Sequence, residues 1–167
     1  NGKVVQVRVD MGAAILTPSE IPWTLRQQAG TDLTVNGVTY AATAVGMGNP
    51  HCVLFQEEDV DGLDLEKIGP DFEHHPAFPE RVNTEFINVL GDHELKMRVW
   101  ERGSGETWAC GTGTCAAAVA AVLNGHCPKN EDILVHLRGG DLTICYTDET
   151  VWMTGPAVTV CEGTVEA

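Results

Sequence analysis

Basic residues are scarce in this sequence: 10 Lys and Arg stand against 24 Asp and Glu, a formal charge of −14 over 167 residues. That balance repels phosphate backbones and anionic bilayer surfaces, which excludes nucleic acid and membrane as expected partners. No apolar run approaches the ~20 residues needed to cross a bilayer, and no basic-then-apolar leader opens the sequence. A soluble, cytoplasmic protein is expected. There is also no C-x-x-C pair, no internal repeat and no low-complexity segment. Without C-x-x-C the six cysteines offer neither a redox dithiol nor a zinc ribbon. The chain is long enough to build one core without disulfide staples, so residues 1–167 are read as a single domain. His51-Cys52 and His74-His75 look metal-like only in isolation. Adjacent residues point to opposite faces of a strand, and about 100° apart on a helix, so no metal site is expected.

What is present is a succession of short β-prone runs around one apolar helix. Val4 to Val9 alternates, with Val5, Val7 and Val9 expected on an inner face. Leu33-Thr34-Val35 meets Val38-Thr39-Tyr40 across Asn36-Gly37, the strongest short hairpin signal. A kinked turn, Gly46 to His51, leads into the apolar run Cys52-Val53-Leu54-Phe55. Asp64 is placed to cap a short helix that Pro70 interrupts or restarts. Asn83 to Leu90 reads as a strand turned back by Gly91-Asp92 into His93 to Glu101. In that return strand Leu95, Met97 and Val99 share one face, and Glu101 falls on the same face, so a carboxylate is carried inward. Ile133–Leu137 and Leu142–Tyr146 pair over a turn, Val151-Trp152-Met153 follows, and Val158 to Cys161 reads as a last strand. The pattern predicts an α+β fold, an antiparallel sheet curled into a barrel around one central apolar helix.

That helix is announced by Thr107-Trp108-Ala109-Cys110-Gly111-Thr112-Gly113-Thr114-Cys115 and runs through an Ala- and Val-rich stretch to Asn124, with Gly125 as its stop. The first turn of a helix has N–H groups without intrahelical partners, which makes an anion site. Cys110 at its mouth is expected to have its thiolate favoured by those donors. An exposed helix terminus supplies only ~0.3–1 kcal/mol, or ~2 when partly buried, so His51 and Glu101 are the candidates for further tuning. A cysteine there can be a nucleophile, a redox thiol, a metal ligand or a proton-transfer group, and spacing alone does not choose. Proton transfer uses the stretch best: the helix mouth holds a carboxylate, the thiolate takes the adjacent proton, and the free N–H groups stabilise the enolate-like charge.

These motifs resemble a family. Glu101-Arg102-Gly103-x-Gly105-Glu106-Thr107 followed by Ala109-Cys110-Gly111-Thr112-Gly113, with Gly48-Asn49-Pro50-His51 and Val82-Asn83-Thr84-Glu85 upstream, is similar to the second half of bacterial diaminopimelate epimerases. The resemblance covers nearly the whole chain in order. Proline and hydroxyproline racemases share the Cys-Gly-Thr-Gly element but not the Glu-Arg-Gly lead-in. It implies an isomerase that interconverts L,L- and meso-diaminopimelate by two-cysteine proton transfer at the α-carbon, in lysine and peptidoglycan precursor biosynthesis. Cys110 would be the base, Gly111 and Thr112 backbone donors to the substrate carboxylate, and Asn49, Asn83 and Arg102 holders of the distal end. Glu101 would also touch substrate, and His51 and Glu101 would tune the thiols. No cofactor is implied, neither pyridoxal phosphate nor metal. The family is a two-lobed homodimer whose first lobe carries a second, Cys-Gly-Asn-Gly helix start. That element is absent from this sequence, so the chain corresponds to the C-terminal lobe, is expected to lack epimerase activity by itself, and would place strands 4–9 and 158–161 at the junction with the missing N-terminal lobe. The competing readings are a proline-type racemase lobe and a non-enzymatic carboxylate-binding domain.

Overall fold

The computed structural model describes residues 2–25 and 27–165. Ten strands make one sheet: β1 (Gln6–Asp10), β2 (Thr31–Val35), β3 (Val38–Gly46), β4 (Pro50–Phe55), β5 (Asn83–Gly91), β6 (Glu94–Glu101), β7 (Gly105–Thr107), β8 (Asp132–Leu137), β9 (Gly140–Tyr146) and β10 (Val151–Pro156). Their order is β1-β10-β9-β8-β6-β5-β4-β3-β2, with β7 attached to β6. Among the described residues there are also two α-helices, α1 (Leu65–Glu73) and α2 (Gly111–Leu123), and two 3-10 turns, Pro18–Glu20 and Val60–Gly62.

The sheet is mixed, which corrects the expected antiparallel arrangement. β4 pairs parallel to β5, and β6 parallel to β8. Parallel neighbours need a crossover, and the two helices supply them, α1 between β4 and β5 and α2 between β6 and β8. Nor does the sheet close into a barrel: its order begins at β1 and ends at β2. The gap is spanned by residues 11–15, where Met11 N–H donates to Val151 O (2.9 Å) and Ile15 exchanges hydrogen bonds with Gly46 (2.8 and 2.9 Å).

The curled face encloses α2. Residues from Gly113 to Ala121 are buried without exception, Val122 is partly buried, and Leu123 at the end of the expected enclosed stretch is 37 % exposed. Alanine on every side lets strands approach the helix axis closely, which a helix with a polar face could not permit. The helix ends in a Schellman motif, with Gly125 N–H to Val122 O and His126 N–H to Ala121 O, and Gly125 at φ +77°. A second core lies on the other face of β4 to β6, where Phe72 of α1 packs with Phe86, Leu54 and Trp100. The central strands are therefore buried on both faces, the reason Cys52–Phe55 reads as a continuous apolar run.

Local expectations divide. The Asn36-Gly37 hairpin forms, both residues at positive φ as a two-residue turn requires. α1 runs unbroken through Pro70, because the buried Leu65, Gly69 and Phe72 hold both sides of it in the second core. β1 pairs only with β10, and its valines face no core: Val7 is 43 % and Val9 39 % exposed, and Val5 just before the strand is 76 % exposed. Residues 158–161 form no strand. The β1–β10 register ends at Gln6 and Pro156, and past the Ala157 N–H to Val5 O bond no further backbone hydrogen bond joins the two segments among the described residues.

Candidate active site

β4, β5 and α2 converge at the N-terminus of the enclosed helix. Along β4 the pleat sends His51 and Val53 toward α2, and Cys52 and Leu54 toward the second core. The same alternation along β5 sends Glu85 and Ile87 toward α2. Cys110 is the N-cap of α2, in extended conformation, and its Sγ accepts the Gly113 N–H at 3.3 Å. The N–H groups of Gly111 and Thr112, first and second in the helix, find no acceptor among the described residues. They are the free donors of an anion site.

Glycine at position 113 is a steric requirement. A Cβ there would stand 2.6 Å from Glu85 Oε1 and 3.1 Å from Cys110 Sγ. The helix mouth is thus pressed against a buried carboxylate that sequence reasoning did not single out. Glu85 is wholly buried, with Oε1 2.7 Å from His51 Nδ1, itself wholly buried. Its Oε2 has no partner among the described residues. The signal was available: Glu85 shares a strand face with Ile87, the same argument that picked out Glu101.

From His51 the hydrogen bonds continue outward. Nε2 lies 2.8 Å from Asn49 Oδ1, Asn49 Nδ2 donates to Thr112 Oγ1 (3.3 Å), and Thr112 Oγ1 is 3.6 Å from Cys110 Sγ. Asn49, His51, Thr112 and Cys110 are therefore brought together, with Glu85 behind them. Glu101 is half-buried at the end of β6 and accepts a hydrogen bond from the Thr107 hydroxyl of β7.

Asn83 and Arg102 are placed differently. The Asn83 amide is engaged by backbone, donating to Pro50 O and accepting from Arg102 N–H, both at 3.0 Å. It pins the start of β4 to the turn after β6. The Arg102 side chain donates to Glu80 O at 3.0 Å. Glu106 pairs with Arg98 (2.8 Å) and Arg138 (2.9 Å).

The charge balance at Cys110 reverses the sequence expectation. Burial first, and then the nearby Glu85 and Glu101 carboxylates, push the thiol up to about 11, outweighing the Thr112 and Gly113 hydrogen bonds that pull it down. The helix mouth is real, but two acids arrive beside it from β5 and β6. Burial likewise raises Glu85 to about 7, opposed by His51 and reinforced by Glu101. Among the described residues no group of His, Cys, Asp and Glu is arranged to hold a metal ion. All six cysteines are free.

A mixed sheet wrapped around an enclosed helix is a fold this chain shares with solved structures. A probable proline racemase from Agrobacterium radiobacter is similar over 99 % of this chain and 55 % of its own, with a TM-score of 0.69 at 14 % identity. A hydroxyproline epimerase from Agrobacterium vitis is similar over 93 % of this chain and 51 % of its own, with a TM-score of 0.64 at 15 % identity. Sequence is more specific than fold. The family model described as diaminopimelate epimerase matches residues 43–160, and the chain belongs to that family. It is 52 % identical to the diaminopimelate epimerase of Agathobacter rectalis, covering 98 % of this chain and 60 % of the relative. With that of Moorella thermoacetica it shares 54 % identity over 97 % of this chain and 58 % of the relative. The chain thus spans about three-fifths of the length of these relatives. No helix among the described residues is long and apolar enough to cross a membrane.

Proposed function

We propose that this chain is the C-terminal, base-cysteine lobe of a cytoplasmic, cofactor-independent epimerase that interconverts L,L- and meso-diaminopimelate by two-cysteine proton transfer. The observation that carries the reading is Cys110 at the N-cap of α2, between the unpaired N–H groups of Gly111 and Thr112 and the buried His51–Glu85 pair. The helix N–H groups bind the α-carboxylate. Cys110 removes the α-proton, and the same donors, fixed in place beforehand, stabilise the negative charge that spreads onto that carboxylate. Loss of the proton leaves a planar carbon, and inversion requires an acid on the other face, supplied by the upstream lobe. Glu101 and Arg102, at the β6–β7 turn, receive the distal amino-acid end together with Asn49 and Asn83, and the complete enzyme is a homodimer.

The racemases of proline type share the fold at 14–15 % identity, whereas the diaminopimelate epimerases share half the sequence, which favours the longer substrate with an amino-acid group at each end. A carboxylate-binding domain without catalysis would have no use for a thiol coupled to a buried acid and imidazole.

The test is L,L-diaminopimelate in deuterated water with the purified chain. Deuterium is expected at the α-carbon, slowly and without the meso isomer, and its uptake is expected to disappear in Cys110→Ala. Exchange that survives Cys110→Ala, or no exchange at all, overturns the reading. Meso product formed as fast as deuterium enters would show a second acid within this chain.

A further inference from the structure

The buried Glu85 is used by nothing in the mechanism above. Its hydrogen bond to His51 is the first link of a continuous series: Glu85 Oε1, His51, Asn49, Thr112 Oγ1, Cys110 Sγ, at 2.7, 2.8, 3.3 and 3.6 Å. We propose that Glu85 is a positioning residue which, by fixing whether His51 Nε2 bears a proton, sets the direction in which these hydrogen bonds run to Cys110. The inference rests on Cys110 being the working thiol of the proposed reaction.

The direction follows from donor and acceptor counting. Asn49 Oδ1 can only accept, so at 2.8 Å from it His51 Nε2 must donate. With Nε2 protonated, two forms of the pair exist: protonated Glu85 donating to a bare Nδ1, or a Glu85 carboxylate accepting from Nδ1–H of an imidazolium. Both are neutral overall and hold the same number of protons. In either, Asn49 Nδ2 occupies a lone pair of Thr112 Oγ1, and the Thr112 hydroxyl hydrogen is left for Cys110 Sγ. Remove that proton to solvent and the pair becomes Glu85 carboxylate with neutral His51. The carboxylate keeps the remaining proton on Nδ1, and a bare Nε2 then faces Asn49 Oδ1. Two acceptors repel, the amide turns over, and the Thr112 hydroxyl donates to Asn49 instead of to sulfur.

The consequence is a proton exchange at constant count. When Cys110 Sγ–H gives up its proton and the anionic pair takes one up, the sulfur becomes a thiolate held by the Thr112 hydroxyl and the Gly113 N–H. Total charge is unchanged, so the thiolate fraction set this way is independent of pH across the interval between the two titrations. The other titratable groups close enough to interact with these residues are Glu101 on β6, Cys115 on α2 and, from the opposite face of β4, Cys52. None of them belongs to the hydrogen-bonded series.

The experiment is the rate of iodoacetamide alkylation at Cys110, resolved by peptide mapping, from pH 5.5 to 10.5. The native chain is expected to show a rise, a plateau opening near neutrality, and a second rise. Glu85→Gln cannot form the anionic pair and is expected to give one rise, with no plateau and a rate at pH 9 up to about tenfold higher, the equivalent of one unit in the thiol titration. Glu85→Asp and Thr112→Ser retain the plateau. Thr112→Val, at a partly exposed first-turn position where folding is not at stake, loses it. A plateau that persists in folded Glu85→Gln overturns the proposal, and so does one of full size in Thr112→Val, which would leave coupling through space alone. Failure of substrate deuterium exchange with these profiles intact would count against the proposed reaction and not against this coupling.

Discussion

Two glutamates are buried on opposite faces of the same central strands, and they live under opposite conditions. Glu73, the last residue of α1, receives Trp100 Nε1–H (2.8 Å), Gly103 N–H (2.9 Å) and the Arg81 guanidinium (3.1 Å). Burial raises its titration, but these donors together hold it below the usual carboxylate range. Glu85 has one partner, an unpaired second oxygen, and a titration raised to about 7. The difference separates a structural acid from one that can hold or release a proton near neutrality. Glu73 fixes the turn after β6 that carries Glu101 and Arg102. Glu85 sits beneath the helix mouth with its hydrogen bonding incomplete, the condition under which a carboxyl becomes a proton-holding group.

The widest gap between them is expected on truncation. Glu73→Ala leaves the indole N–H and a turn N–H without acceptors, and removing one member of such a buried charged network costs roughly 3–5 kcal/mol. Glu85→Gln keeps the shape and removes an acid that burial already disfavours, so its cost at pH 8 is expected to stay below about 1 kcal/mol. Urea midpoints at pH 8 measure both. Equal losses would erase the distinction between the two acids.

Each glutamate is also flanked by a glycine, and the two glycines rank next. At Gly69 a Cβ would stand 2.2 Å from Trp100 Cδ2, against a rigid ring that Glu73 holds in place. At Gly113 it would meet the end of the Glu85 side chain at 2.6 Å. Overpacking costs about 1–3 kcal/mol, and Gly69→Ala is expected at or above the top of that range. Gly113→Ala is expected lower in it, with the larger effect falling on the pH profile of Cys110. Thermal denaturation of both, beside Cys110 alkylation rates, sharpens the comparison. A Gly113→Ala protein with unaltered Cys110 reactivity would show that Glu85 is not seated against the thiol.

What the residues disclose in advance divides along the same line. The Asn36-Gly37 hairpin, the alternation of β6 and the enclosed helix with its Gly125 stop are local patterns, and they form as written in the sequence. The resemblance to an epimerase singles out Asn49, His51, Thr112 and Cys110, but their gathering around one helix mouth is visible only in the structure. Hidden from both are the facts that depend on which distant strands become neighbours. Among these are the parallel joins β4–β5 and β6–β8, the exposure of the β1 valines, and the acids that raise Cys110 where the helix terminus alone would lower it. Glu85 is the clearest case. Its place in an apolar strand face was visible, but not that β4 would bring His51 against it.

The effect that is smallest at each step of its measurement, no more than about 0.7 kcal/mol per half pH unit for each proton, also tests the two acids together: the dependence of stability on pH. Glu73 has a depressed titration in the folded chain, so its contribution is present above the ordinary carboxylate range and is lost as pH falls through its folded value. Glu106, held down chiefly by its Arg98 hydrogen bond, acts in the same direction. Glu85 has a raised titration, so the folded chain binds its proton more tightly than the unfolded one. Its contribution is present below about 4.5 and is lost as pH rises toward about 7. Stability is therefore expected to fall on both sides of a maximum near pH 5, by no more than about 1.4 kcal/mol per pH unit for each proton involved. Glu85→Gln should flatten the limb between pH 5 and 7 and leave the acid limb unchanged. Glu73→Gln should weaken the acid limb and leave the other. Urea titrations at half-unit steps from pH 2.5 to 8 distinguish the two. An unchanged upper limb in Glu85→Gln would mean that the His51 pair keeps its proton throughout this range, and that Glu85, like Glu73, is only a structural acid.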